Sequence, residues 1–336
     1  MILKLIKRLL EKWQERDLTG LIAPDYHDPR DFQLSAIQEA VDLPESFDLR
    51  SKMSPIGYQK YGSCTSWAGC GVKEYWDGKE YKKIINLSEK FNYHNIKKLS
   101  GLWGIQGDYL RNSLKAICQF GVCLEESHPD TKDSSWEEYV KKEPTENAYE
   151  EAKKYKGKTY WSVGRTLEEV RQAVFQNTCP VATGMMWYSS YNPDKTGRLP
   201  LPSGSKVGGH AISCVGWTKD KLWFRNSWGT SFGADGYFYI PFDEFVKHDL
   251  WDFWVMLDLD APQEMLEGWV AIKYLRQMEG FKKGTKVSPI CNLNLRSNPA
   301  GSKIVTLKKQ QLCEIVSDER ILKDNYHWQK VKVIIS

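Results

Sequence analysis

The spacing of apolar residues changes once along this chain, near Pro180, and that change limits the folds open to it. Before it, four stretches carry apolar and small residues at helical intervals. They are residues 65–76, ending near Asp77-Gly78, a stretch opening at Ser88 as N-cap, residues 107–120, stopping at Gly121, and residues 167–176. Thr166 precedes the last, and Glu168 and Glu169 suit its positive end. After Pro180 the runs at 181–186, 211–218, 222–226 and 236–240 are short, apolar or aromatic, and bounded by Gly, Pro and Asp. Helices first and strands second imply an α+β body of two lobes, with a cleft between them as the natural ligand site.

With 336 residues the chain has material for about two domains of roughly 100–200 residues each. Residues 1–40 read as a lead-in. The first sixteen place Ile2, Leu3, Leu5, Ile6, Leu9, Leu10 and Trp13 on one helical stripe with Lys and Arg opposite, which suits a membrane-surface or partner contact or a helix folded back on its own body. Residues 17–46 are rich in turn signals. The main domain covers 41–257, a connector 258–282, and a small all-β domain 283–336. In that tail, strands are expected at 285–289, 293–295, 302–307, 312–316 and 329–335, with turns at Asn298-Pro299 and from Asp318 to Asn325.

Forty-seven Lys and Arg stand against 43 Asp and Glu, a net charge of +4, which argues against a nucleic-acid partner. No apolar run reaches the roughly 18 residues of a membrane span. The N-terminus lacks the unbroken apolar core and cleavage site of a secretion signal, so a cytoplasmic or virion-associated location is expected. The eight cysteines form no C-x-x-C pair, so no metal and no cofactor is expected, and the seven outside the candidate site read as buried free thiols.

Three distant stretches supply the chemistry: Gly62-Ser63-Cys64-Thr65, Gly208-Gly209-His210-Ala211 and Arg225-Asn226-Ser227-Trp228. Cys64 opens a helix, where unpaired N–H groups and the helix dipole favour an anion and hence a thiolate. His210 enters an apolar strand behind two glycines and is positioned as general base toward Cys64 and acid toward a leaving amine, the resting pair being thiolate–imidazolium. Asn226, sixteen residues on, falls on a neighbouring strand and orients the imidazole; Trp228 shields that hydrogen bond from water. Gly208, Gly209, Ala211 and Trp228 are the expected substrate contacts. Met185, Met186 and Trp187 read equally as cleft lining or core. The Cys64 N–H and the upstream amide of Gln59 are candidate oxyanion donors.

From about Pro24 to Leu257 the chain resembles the papain-like cysteine peptidases, especially compact bacterial-type members. The resemblance rests on Pro29-Arg30-Asp31-Phe32, Leu43-Pro44-Glu45-Ser46-Phe47-Asp48, Gly62-Ser63-Cys64, Leu87-Ser88-Glu89, Gly121-Val122-Cys123, Gly209-His210-Ala211 and Asn226-Ser227-Trp228-Gly229. It implies a helical lobe facing an antiparallel β lobe, a peptide or protein substrate, and Cys64, His210, Asn226 and Gln59 as nucleophile, base, orienter and oxyanion donor. Gln59 stands five residues before Cys64 where the family has six, and Tyr61 replaces a family half-cystine. The roughly 40 residues ahead of the main domain leave no room for the long helical inhibitory segment of secreted members.

The tail, with Asn292-Leu293-Asn294-Leu295-Arg296-Ser297, resembles a bacterial SH3-like barrel, which implies a cell-wall peptide as a further partner. Two alternatives stand beside the peptidase reading: a wall-peptide hydrolase anchored by this tail, and a non-catalytic virion or scaffold protein on a peptidase fold.

Overall fold

The computed structural model describes residues 19–258, apart from 21, 22, 27, 29, 30, 32, 37, 39 and 131–134. It also describes residues 267–333, apart from 278–282, 284, 285, 290, 297, 302 and 308–312. The helix expected over residues 1–16 and the motif positions Pro29, Arg30 and Phe32 lie outside the described residues. Two units separate at Leu259/Asp260.

In the first unit, helix α1 (Cys64–Tyr81) runs through the core, and most of its first fourteen residues are buried. It passes beyond the stop expected at Asp77-Gly78, because Lys73 and Asp77 pair inside the protein and Lys73 also reaches Asp258. Helices α2 (Glu89–Ser100) and α3 (Leu110–Phe120) pack beside it. Ser88 caps α2 as expected, its Oγ accepting from the Phe91 N–H at 3.0 Å. α3 begins later than residue 107 and ends at Gly121, whose φ of +78° favours glycine. Two short helices escaped the periodicity analysis, α4 (Trp136–Lys141) and α5 (Glu146–Ala152). At six and seven residues they are too short to establish a period, although Ser135 and Thr145 cap them. Helix α6 (Leu167–Asn177) carries the full Thr166–Glu169 capping box.

The opposing lobe is antiparallel. Its strands are β1 (Ser46–Asp48), β2 (Thr159–Val163), β3 (Val181–Tyr188), β4 (Lys206–Thr218), β5 (Lys221–Arg225), β6 (Tyr237–Pro241) and β7 (Leu250–Leu257). They follow the order β2-β7-β3-β4-β5-β6, with β1 added on β4. β2 and β7 were not expected from sequence. β7 is an interior strand, buried along most of its length, so its apolar run lacks the alternation of a half-exposed strand. Asp252 breaks it with φ +53°, beside a register shift against β3.

The second unit has its own core of Val270, Leu275, Val287, Leu295, Ile315 and Val331. Strands β8 (Glu267–Ala271), β9 (Leu275–Gln277), β10 (Lys286–Pro289), β11 (Leu293–Arg296), β12 (Lys303–Leu307), β13 (Cys313–Lys323) and β14 (Tyr326–Val333) form one antiparallel sheet ordered β12-β11-β8-β14-β13-β10-β9. The expected connector is thus corrected: β8 pairs with β14 over five residues and belongs to this sheet. The turn expected from Asp318 to Asn325 shrinks to Asp324-Asn325, both at positive φ, because a two-residue hairpin turn matches the strand twist.

Candidate active site

Cys64 is the first residue of α1 and is fully buried. His210 lies on β4 and Asn226 just beyond β5, and the pairing of Ser213 with Arg225 sets these two strands side by side. His210 Nε2 meets Asn226 Oδ1 at 2.7 Å. That oxygen also accepts from the Ser227 N–H at 2.8 Å, so it is an acceptor and the imidazole donates from Nε2. Nδ1 is left as the basic nitrogen and has no hydrogen-bond partner among the described residues. Trp228 stacks on the ring at 4.4 Å and 30°, as expected, and Trp187 meets it edge-on at 5.4 Å. Trp187 therefore belongs to the site; Met185 is buried and pairs with His210 across the sheet.

The sulfur of Cys64 faces the backbone N–H of Ala211, the residue after the histidine, and those of Gly20, Thr65 and Cys64 itself. These donors favour the thiolate, yet burial outweighs them and pushes the thiol up to about 11. Burial likewise holds His210 down at about 4, against the help of Asn226. Burial thus works against the expected thiolate–imidazolium pair while Gly20 covers the sulfur.

The cause of that burial is a segment sequence reasoning missed. Gly20 donates its N–H to Cys64 Sγ at 3.3 Å and accepts from the Asp108 N–H at 2.8 Å. A side chain at residue 20 would meet the Gly62 carbonyl oxygen at 2.0 Å, and the space beside Gly208 is filled by the Thr19 hydroxyl. The chain then anchors at Asp25, whose N–H donates to Asp252 Oδ2 at 2.5 Å and whose carboxylate accepts from Trp254 Nε1 at 3.0 Å and the Arg111 N–H at 3.1 Å. Burial, with Asp252 adding to it, raises Asp25 to about 7. On the receiving side, buried Lys97 donates to Ile105 O and Gly107 O and pairs with Asp108, which fixes the loop that holds Gly20. No local motif marks Thr19-Gly20, because Gly20 makes its contacts through backbone atoms and Thr19 brings only one ordinary hydroxyl.

Gln59 is fully buried. Its Nε2 donates to Tyr61 O at 2.9 Å and its Oε1 accepts from the Ser227 hydroxyl. The backbone bonds Gln59 N–H to Ser227 O, 2.8 Å, and Gly229 N–H to Gly57 O, 2.9 Å, join the loop before the nucleophile to the loop after Asn226. Tyr61, in the place of the family half-cystine, packs on Trp136 and Tyr139. All eight cysteines are free, and among the described residues no group of three or more His, Cys, Asp or Glu could hold a metal. No described helix is long and apolar enough to cross a membrane.

The profile of the family described as papain family cysteine protease matches residues 43–247, more than half of the chain. The chain belongs to this papain family. It is a cysteine peptidase by that membership. An uncharacterized peptidase C1-like protein of Acanthamoeba polyphaga mimivirus is 28% identical to this peptidase over 75% of this chain and 86% of its own. Human cathepsin L2 is 27% identical over 61% and 62%, respectively. Among solved structures, xylellain, a cysteine protease from Xylella fastidiosa, superposes with a TM-score of 0.61 at 27% identity, covering 73% of the peptidase and 97% of xylellain.

Proposed function

We propose that the peptidase hydrolyses peptide bonds through Cys64, His210 and Asn226. Substrate first displaces Thr19-Gly20 and admits water, after which the helix-tip N–H groups favour the thiolate. His210 Nδ1 takes the Cys64 proton, and the sulfur forms a bond to the scissile carbonyl carbon. The oxyanion is held by the Cys64 N–H, with Gln59 as second donor. On collapse the C–N bond breaks, and His210 returns the proton to the leaving amine. Water, deprotonated by His210, then attacks the thioester, releases the acid and restores the thiol. Asn226 keeps the imidazole in the Nε2–H tautomer throughout.

One observation carries this reading: the Nε2–Asn226 bond under Trp228 leaves His210 Nδ1 as the basic nitrogen, while the backbone N–H of the next residue, Ala211, faces the Cys64 sulfur. The test is labelling with an electrophilic peptide inhibitor and mapping of the adduct, alongside cleavage of a peptide library. An adduct on Cys64 that is lost in Cys64→Ala and in His210→Ala, with peptide cleavage falling on the order of 10⁴-fold or more in both, is expected. Cleavage persisting in Cys64→Ala would sink the mechanism. Labelling without any cleavage would favour a binding protein on a peptidase fold. The second unit we read as an SH3-like barrel, a reading supported by its short antiparallel strands and tight hairpin turn.

A further inference from the structure

The second unit carries a cavity of about 400 Å³, well apart in sequence from the catalytic residues and within the roughly 300–1,000 Å³ typical of small-ligand sites. Tyr274, Tyr326 and Trp328 form its aromatic wall. Tyr274 and Tyr326 stack at 6.3 Å and 28°, and Trp328 stands at 62° to Tyr326, so the rings make a corner. Around it stand four planar polar side chains of three hydrogen-bonding kinds. Asp324 only accepts, Arg296 only donates, and Asn292 and Asn294 do both.

Each class of ligand makes different demands on such a wall. A strongly cationic ligand would meet Arg296 and also Lys273, whose ammonium already lies 4.2 Å from the centroid of Tyr326. A strongly anionic one would meet Asp324. A purely apolar one would strip water from these four polar side chains without replacing it. A peptide added as a further strand has no edge to join here, because β8, β11 and β14 each have a strand on both sides. A polyproline segment has no N–H to offer Asp324. The indole N–H of Trp328 is already given to Lys323 O at 3.1 Å, so this residue presents a ring face and no donor.

We propose that this cavity binds a neutral oligosaccharide. The C–H faces of a sugar ring are apolar and pack on aromatic rings, while each hydroxyl both donates and accepts. Such hydroxyls satisfy an acceptor-only carboxylate, a donor-only guanidinium and an amide together. Arg296 is held for this by its own bond to Gly301 O at 2.7 Å, which fixes the guanidinium at the cavity wall. This ligand differs in class from the cell-wall peptide implied by the resemblance to SH3-like domains, and the two are set against each other in the test. The proposal does not depend on the reaction assigned to Cys64.

The test uses the full chain with Cys64→Ser, so that self-cleavage cannot interfere. Tetramers of N-acetylglucosamine, of β-linked glucose and of α-linked glucose are titrated by calorimetry and by tryptophan fluorescence, beside an alanine- and glutamate-containing wall peptide. Saturable binding of at least one sugar series is expected. It should weaken about tenfold in Asp324→Asn, the loss of one good hydrogen bond to a charged group, and more in Tyr326→Ala. Asp324 is exposed, so the Asn variant should keep its thermal midpoint even if Tyr326→Ala does not fold. Failure of all three sugars to bind overturns the proposal. So does binding that Asp324→Asn leaves undiminished, and so does a site that takes the wall peptide and no sugar. Labelling of Cys64 in the unsubstituted chain is read separately and reports only on the catalytic reading.

Discussion

At the residue scale, the decisive contact is the Gly20 N–H on the Cys64 sulfur. It supplies one hydrogen bond to the sulfur but excludes water, and exclusion dominates: the thiol stands near 11 although four backbone N–H groups face it. The sign follows from which form burial penalises. A folded thiol raised above its ordinary value keeps its proton at neutral pH and loses it only as pH climbs toward about 11. Gly20→Ala should break this arrangement, since a methyl group at 2.0 Å from the Gly62 carbonyl cannot be accommodated. The expected result is faster alkylation of Cys64 at neutral pH and a pH midpoint moved below that of the unsubstituted protein. Site-resolved mass spectrometry of the adduct over a pH series measures both; an unchanged midpoint would show that Gly20 does not control the sulfur.

At the element scale, α1 and β5 are tied by a buried ion pair. Arg225, next to Asn226, donates to the Ser54 hydroxyl at 3.0 Å and to Pro55 O at 2.8 Å, and reaches Glu74 of α1 at 3.9 Å. Glu74 also takes the Ser54 hydroxyl and the Leu87 N–H. Burial raises Glu74, and Arg225 is the charge that opposes the rise. Arg225→Met would leave that carboxylate buried without its partner, which should cost roughly 3–5 kcal/mol in urea unfolding. A loss within experimental scatter would mean that Glu74 takes up a proton at little cost. The elements carrying these groups were legible in the sequence to unequal degrees. α1, α2, α3 and α6 announced themselves through period, caps and terminal glycine, and the three motifs located Cys64, His210 and Asn226. β7 was hidden because a strand covered on both faces has no alternation to detect. The contact of Gly20 with the sulfur was hidden because a backbone N–H makes it, and backbone atoms leave no signature in side-chain pattern. The burial of the sulfur was hidden for a related reason: a helix tip is visible in sequence, whereas the burial that opposes its effect is a property of distant chain.

At the scale of the whole molecule, the two units hold separate cores, one around α1 and the other around Val270, Leu295 and Val331. The chain divides into two compact units near Leu259, each with buried apolar residues of its own, so cooperative unfolding is expected to stop at that boundary. Calorimetry of the full chain is expected to show two transitions. The higher-enthalpy one should belong to the larger unit, because unfolding enthalpy scales with residue number. A single transition with equal calorimetric and van't Hoff enthalpies would contradict this. Position in the fold also governs the sulfur chemistry. Of the eight free cysteines, Cys291 is the exposed one, while Cys64 is sealed. An electrophile added to the native protein will therefore meet a tail sulfur first, and a rapid stoichiometric burst would count the wrong atom. Only with that position changed to serine does the tally of modified molecules become a tally of working ones.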